Sequence, residues 1–236
     1  MLLKEKLKNV VMSGIAYIKT NRHVWLVLWL PIYLVLFFLA EHLVTDKYFV
    51  SYLPLDNKIP FVDYFVVPYV LWFPFLFGTG IYFLVMDSEY FKKYMYFLMI
   101  GFTVSIVFCM LFPNGQDLRP EIFPRDNVFT RLIALLYSAD TNTNVIPSMH
   151  VIGVVAASAA VLQSPSIKNR WITVSTVVLG LLINASTILI KQHSILDIFA
   201  AAALCVPIFF IVYGKDIKLR LKSKNCSTQK HQRHFN

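Results

Sequence analysis

Six apolar runs alternate with polar stretches along the chain, at roughly Val24–Ala40, Tyr64–Met86, Tyr94–Phe112, Ser148–Leu162, Trp171–Ile190 and Ser194–Tyr213. A helix needs about 20 apolar residues to cross the ~30 Å hydrocarbon core of a bilayer, and most of these runs approach that length. The pattern predicts an all-α fold: a polytopic membrane bundle of six transmembrane helices, in one domain over 1–236. Trp25, Trp29, Tyr48, Tyr52 and Trp171 fall near run ends, where amphipathic rings favour the membrane interface. Pro68 and Pro74 predict a bend in the second span. Basic segments, 1–23 and 214–236, flank the bundle, and 113–147 is its only long internal connection. The first run follows a basic start, as a signal peptide would. It is longer than a usual signal core and no small-x-small cleavage site follows, so it is expected to remain as the first helix.

Composition points the same way, with 57% apolar and 15% charged residues. The net charge of +9 raises nucleic acid as a partner. The basic residues lie between apolar runs and in the tail, not on one folded face. No nucleic acid is therefore expected, and membrane lipids are. With a cytoplasmic N-terminus, sixteen of the 22 lysines and arginines fall inside and six outside. That bias predicts a multi-pass protein of the cell membrane with both termini cytoplasmic. The 113–147 loop and the connection between the fifth and sixth spans then lie on the outer face. Cys109, Cys205 and Cys226 are far apart and show neither disulfide nor metal-ligand spacing. Neither metal nor cofactor is expected, and the pattern sets no oligomeric state.

Three stretches carrying chemistry fall on that outer face: Gly115 to Pro120, Pro147-Ser148-Met149-His150, and Ser186 to Asp197. His193 and Asp197 are four apart and would share a helix face, with Asp197 about one turn inside an apolar span. An unpaired carboxylate there is costly, so His193 is its expected partner. The pair either makes the other ring nitrogen more nucleophilic or merely pins two helices. Pro147 suits the first turn of a helix, leaving the amides of Ser148, Met149 and His150 as a cradle for phosphate. The Ser148 hydroxyl could add a donor and His150 a proton; the alternative is an ordinary helix start. Arg119 offers a guanidinium that matches phosphate oxygens, or is a solvated loop residue. The fourth and sixth spans both present their N-termini outward. If adjacent, they would bring Arg119, Lys191, Ser148 and both histidines to one anion-sized space, with Ala156, Ala157, Ala159, Ala160 and Ala200–Ala203 allowing close approach. One phosphate would then bridge the two histidines. An interfacial helix is expected within Asp126–Ser138, capped by Asp126 or Asn127, with Val128, Ile133, Leu135 and Leu136 as its apolar side.

The order Arg119-Pro120, then Pro147-Ser148-x-His150, then Ser186…His193-x-x-x-Asp197 resembles the type 2 phosphatidic acid phosphatase superfamily over about Phe112 to Asp197. That resemblance implies His193 as a nucleophile forming phosphohistidine, Asp197 as its orienting anion, and His150 as the acid and later base. It implies Arg119 and Ser148 as phosphate ligands, and a lipid phosphate substrate such as phosphatidic acid, phosphatidylglycerophosphate or polyprenyl pyrophosphate. Two family cations are missing: Phe112 and Thr187 stand where lysine and arginine are usual. Lys191 would replace one and Gln116 would supply a neutral donor. The Lys191-Gln192-His193 string is similar to a subgroup that moves phospho-headgroups between lipids, so transfer stands beside hydrolysis. A non-catalytic transporter or scaffold with the same fold is the third expectation.

Overall fold

The computed structural model describes residues 20–43 and 47–232, with side chains for 20–41 and 47–219. It is mainly helical. A 3-10 segment, Arg22–Leu28, leads into α1, Trp29–Leu43. After it come the short α2, Val66–Val70, then α3, Trp72–Met86, and α4, Ser88–Leu111. α5, Val128–Ala139, lies in the long connection, and α6, Met149–Gln163, α7, Arg170–Leu189, and α8, Ile195–Gln232, complete the chain. Most of the basic N-terminal segment lies outside the described residues. α8 continues to Gln232 through the stretch expected as a separate tail.

Five helical segments are long and apolar enough to cross a membrane: Arg22–Glu41, Asp63–Met86, Ser88–Leu111, Arg170–Leu189 and Ile195–Leu219. The second is α2 and α3 in series. Leu71 separates the two, three residues before Pro74, and keeps right-handed helical dihedrals, with its amide on the Val67 carbonyl at 3.1 Å.

The fourth expected span, α6, has only 15 residues, about 22 Å at ~1.5 Å per residue. Its surroundings explain why so short a helix forms here. α6 packs against α3, α4, α7 and α8, so it is enclosed on all sides. Val151, Ile152, Gly153, Val154, Ala156, Ala157, Ala159, Ala160 and Val161 are all buried, and a helix apolar all round belongs in such a core. Small residues permit the approach: a Cβ at Gly101 on α4 would stand 2.5 Å from the Ile152 side chain. The four alanines of α6 are buried as expected. Of Ala200–Ala203 only Ala201 is fully buried, and Ala202 and Ala203 face outward.

At the end of the bundle where α6 and α8 begin, a two-stranded parallel pairing joins β1, Phe49–Val50, to β2, Asn114–Gly115. Gly115 lies so close to the Tyr48 ring that a Cβ would meet it at 2.6 Å. The pairing draws the connection after α1 across the bundle end, and Ser51 follows it with its amide on the Gly115 carbonyl at 2.7 Å.

α5 is the helix expected within Asp126–Ser138, and Asn127 caps it through the amides of Phe129 and Thr130. Its apolar residues are split between faces, unlike the single side expected. Ile133 is buried among Val66, Tyr69 and Ile190, with Leu136 packed on the same cluster. Val128 and Leu135 face outward, 71% and 66% exposed.

Candidate active site

The first half of the site forms where the chain turns from α7 into α8. Gln192 and His193 hang their amides on the Thr187 carbonyl, at 2.8 and 3.0 Å. Lys191 adopts a left-handed φ of 56° to make that turn, a conformation disfavoured for a side chain with a Cβ. Ser194 then caps α8: its hydroxyl accepts from the Leu196 amide at 2.9 Å, while Asp197 accepts from the Ser194 amide at 2.9 Å. This reciprocal cap places Asp197 in the first helical turn. His193 sits before the helix, not on its face as the spacing predicted, and the capping turn brings it back to the carboxylate. His193 Nδ1 lies 3.0 Å from Asp197 Oδ2. The other oxygen, Oδ1, accepts from the Ser51 hydroxyl, which is itself 3.1 Å from Ser194 Oγ. Asp197 is fully buried and every feature of its carboxylate is engaged.

The second half is the start of α6. Ile146–Pro147 is a cis peptide. Its turn is held by Asn114 Oδ1 on the Ile146 amide at 2.8 Å, by Ser105 Oγ on the Pro147 carbonyl at 2.8 Å and by Cys109 Sγ on the Ile146 carbonyl. Pro147 thus precedes the cap instead of occupying the first turn, and Ser148 is the N-cap. The expected cradle of three amides is reduced, because the Ser148 amide donates to the Asp197 carbonyl at 3.2 Å. The amides of Met149 and His150 have no acceptor among the described residues. The Ser148 hydroxyl is completely buried and has no hydrogen-bond partner among the described residues.

The two halves meet through the histidines. His150 Nδ1 and His193 Nε2 are 3.2 Å apart. With Asp197 taking the proton of His193 Nδ1, Nε2 presents a lone pair and His150 Nδ1–H donates to it; the tautomers follow from this chain of bonds. The histidines therefore touch directly, closer than the phosphate-bridged separation expected. Tyr69 and Trp72 flank the His150 ring, with centroids at 4.6 and 4.8 Å, and Trp72 Nε1 donates to the His150 carbonyl at 3.0 Å.

The expected phosphate ligands other than Ser148 are engaged elsewhere. Arg119 donates to the carbonyls of Tyr137, Asp140 and Thr141 and to Gln192 Oε1, the last at 2.6 Å. Its Nε alone is buried without a partner. Burial pushes its pKa down, against the pull of Tyr137 and Asp140. Lys191 points away from the histidines, its ammonium capping the carbonyls of Asp56 at 2.8 Å and Ile59 at 2.7 Å. Its pKa is also lowered by burial. Gln116 is fully buried and fastens the turn, donating to the Lys191 carbonyl at 3.0 Å and accepting from the Leu118 amide at 2.6 Å. Lys191 and Gln116 are thus braces of the loop in this arrangement. At the two positions of the missing cations, Phe112 is exposed and Thr187 is buried, holding the His193 turn.

Sequence reasoning passed over Ser51, Tyr69, Trp72, Asp140 and Gln192. Gln192 lies inside a highlighted string, and its amide bridges Arg119 to Tyr69 and Asp140, at 3.3 and 3.2 Å for the latter two. The others come from distant segments with no local signal. Among the described residues no three His, Cys, Asp or Glu side chains converge in metal-holding geometry. No family model, curated protein or solved structure matches the chain. The chemistry must be read from the site: an imidazole lone pair backed by a buried carboxylate, a second imidazole against it, and unpartnered donors at a helix start.

Proposed function

We propose that the protein is a membrane enzyme that breaks phosphate esters or diphosphates of lipids through a phosphohistidine on His193, as its resemblance to the type 2 phosphatidic acid phosphatases implies. The observation that carries this reading is the bonded chain His150–His193–Asp197, assembled from two separate motifs beside the unpartnered Ser148 hydroxyl. In this reading α6 is a sixth span shielded from lipid, both termini are cytoplasmic and the site opens at the outer face.

The reaction follows from the hydrogen-bond chain. Phosphate displaces His150 from His193 Nε2, which attacks phosphorus while the bond to the leaving oxygen breaks. As the phosphate binds, His150 takes up a proton from solvent, and it then gives that proton to the leaving oxygen. Asp197 stabilises the positive charge arising on His193 and keeps its tautomer. Ser148 and the α6 amides receive the phosphate oxygens. Water, deprotonated by His150, then attacks phosphorus and the P–N bond breaks. A second reading is transfer to a lipid alcohol in place of water, and the near-complete burial of His193, 7% exposed, favours it by limiting water.

A screen of purified protein against lipid phosphates and diphosphates, with chelator present, tests the proposal. Phosphate release with a trapped phosphohistidine supports hydrolysis, and a new phospholipid supports transfer. Neither product across the panel, or activity that needs a divalent ion, would falsify the phosphohistidine route.

A further inference from the structure

The two cations nearest the histidine pair are turned to neutral acceptors. Lys191 is turned to the carbonyls of Asp56 and Ile59, and Arg119 has spent its terminal nitrogens on three carbonyls and Gln192. The donors left over are the Ser148 hydroxyl, the Met149 and His150 amides and Arg119 Nε, mostly neutral groups. Against them stands a second carboxylate. Asp140 Oδ2 accepts from Gln192 Nε2 at 3.2 Å and Tyr69 Oη at 3.4 Å, and the Tyr69 ring stands against His150. Its backbone carbonyl holds Arg119 at 2.9 Å. Four ionisable groups face it: Arg119 favours its charged form, as does His193 when protonated, while Glu41 opposes it and Tyr69 donates to it. Glu41 is held nearby by Asn144 and Thr141. Burial raises the pKa of Asp140 above the usual carboxylate value.

A phosphate on His193 shares a low-dielectric region with this carboxylate, so each added negative charge is repelled more strongly than in water. We propose that Asp140 makes the site accept phosphate groups with one negative charge instead of two, so that its substrate is a lipid phosphodiester or a monoester in its singly protonated form. The inference rests on the phosphate-ester reading above and assigns Asp140 to substrate selection, not to the chemical step.

The test uses the purified full chain in detergent micelles, with phosphatidic acid and phosphatidylglycerol of identical acyl chains. A phosphate monoester loses its second proton near pH ~6, whereas a diester keeps one charge throughout. The monoester-to-diester ratio of kcat/KM removes whatever acts on both esters alike. Between about pH 5.5 and about pH 8 that ratio should fall on the order of 10-fold in the wild type, stay flat in Asp140→Asn, and fall again in Asp140→Glu. Where the diester is not turned over, its inhibition constant replaces kcat/KM. A flat wild-type ratio, or an equal fall in Asp140→Asn, overturns the assignment while leaving phosphate-ester chemistry intact. If Asp140→Asn does not fold, Asp140→Ser, which also removes the carboxylate, takes its place. No turnover of either ester and no phosphoenzyme overturns the underlying reading and the selectivity with it.

Discussion

Two helices begin side by side at the same end of the bundle, each with a serine cap and a histidine, and they are finished differently. At α8 the cap is closed. The Ser194 hydroxyl takes the Leu196 amide, Asp197 takes the Ser194 amide, and the remaining carboxylate oxygen is taken by Ser51. At α6 the cap is open. The Ser148 hydroxyl is buried without a partner and the next two amides find no acceptor among the described residues. A buried polar group left unmade costs about 1–3 kcal/mol, and a phosphate oxygen bound at Ser148 would recover it. The closed start fixes the position of His193, and the open start leaves donors that, in the proposed reaction, receive the phosphate oxygens.

The largest expected effects fall on the histidines that each start contributes. His193→Ala should abolish turnover and leave no phosphoenzyme on acid quench; a labelled enzyme in this variant would move the nucleophile elsewhere. His150→Ala should lose roughly 10²–10⁴-fold on an alkyl phosphate and much less on an aryl phosphate, whose leaving oxygen needs no proton. Equal losses on both esters would remove His150 from the role of acid.

Smaller effects separate the two caps. Ser148→Ala should lower kcat by about 10²-fold, as removal of a single oxyanion donor does, with no drop in Tm, because the hydroxyl bonds to nothing in the free protein. A fall in Tm without a fall in kcat would make the open cap structural after all. Gly101→Ala should push Ile152 and α6 away from α4, at a cost of about 1–3 kcal/mol for overpacking, with a loss of activity that follows the displaced α6 start. Ser194→Ala should cost about 1 kcal/mol of stability, the usual loss of an N-cap, read as a lower melting temperature in detergent. Tm unchanged there would mean the closed cap contributes less than its geometry implies.

The legible part of the site was local. His193 and Asp197 were paired from a spacing that assumed one helix face, and they meet because the Ser194 cap turns His193 back to the carboxylate. Asn127 was named as a cap from its place before an apolar run, and it is one. What the spacing could not supply was which polar groups would be left free. Arg119, Lys191 and Gln116 looked available from their chemistry, and the loop consumes them: Gln116 and Lys191 brace the turn before His193, and Arg119 closes the α5 carbonyls. Ser51 was out of reach, since it lies 146 residues from Asp197 and arrives through a two-residue parallel pairing with no periodic signal.

Hydrophobic runs determined by themselves that this chain is helical and built to cross a membrane, since bilayer thickness and backbone hydrogen bonding leave few other ways to place such segments. The resemblance of three short motifs likewise needed no coordinates. The tertiary structure decided the rest. It made α6 a short enclosed helix, because four neighbours and not lipid cover its surface. It set His150 against His193 and left Ser148 open, because a hydrogen bond's partner depends on which distant backbone arrives there, and that is settled only when the helices pack.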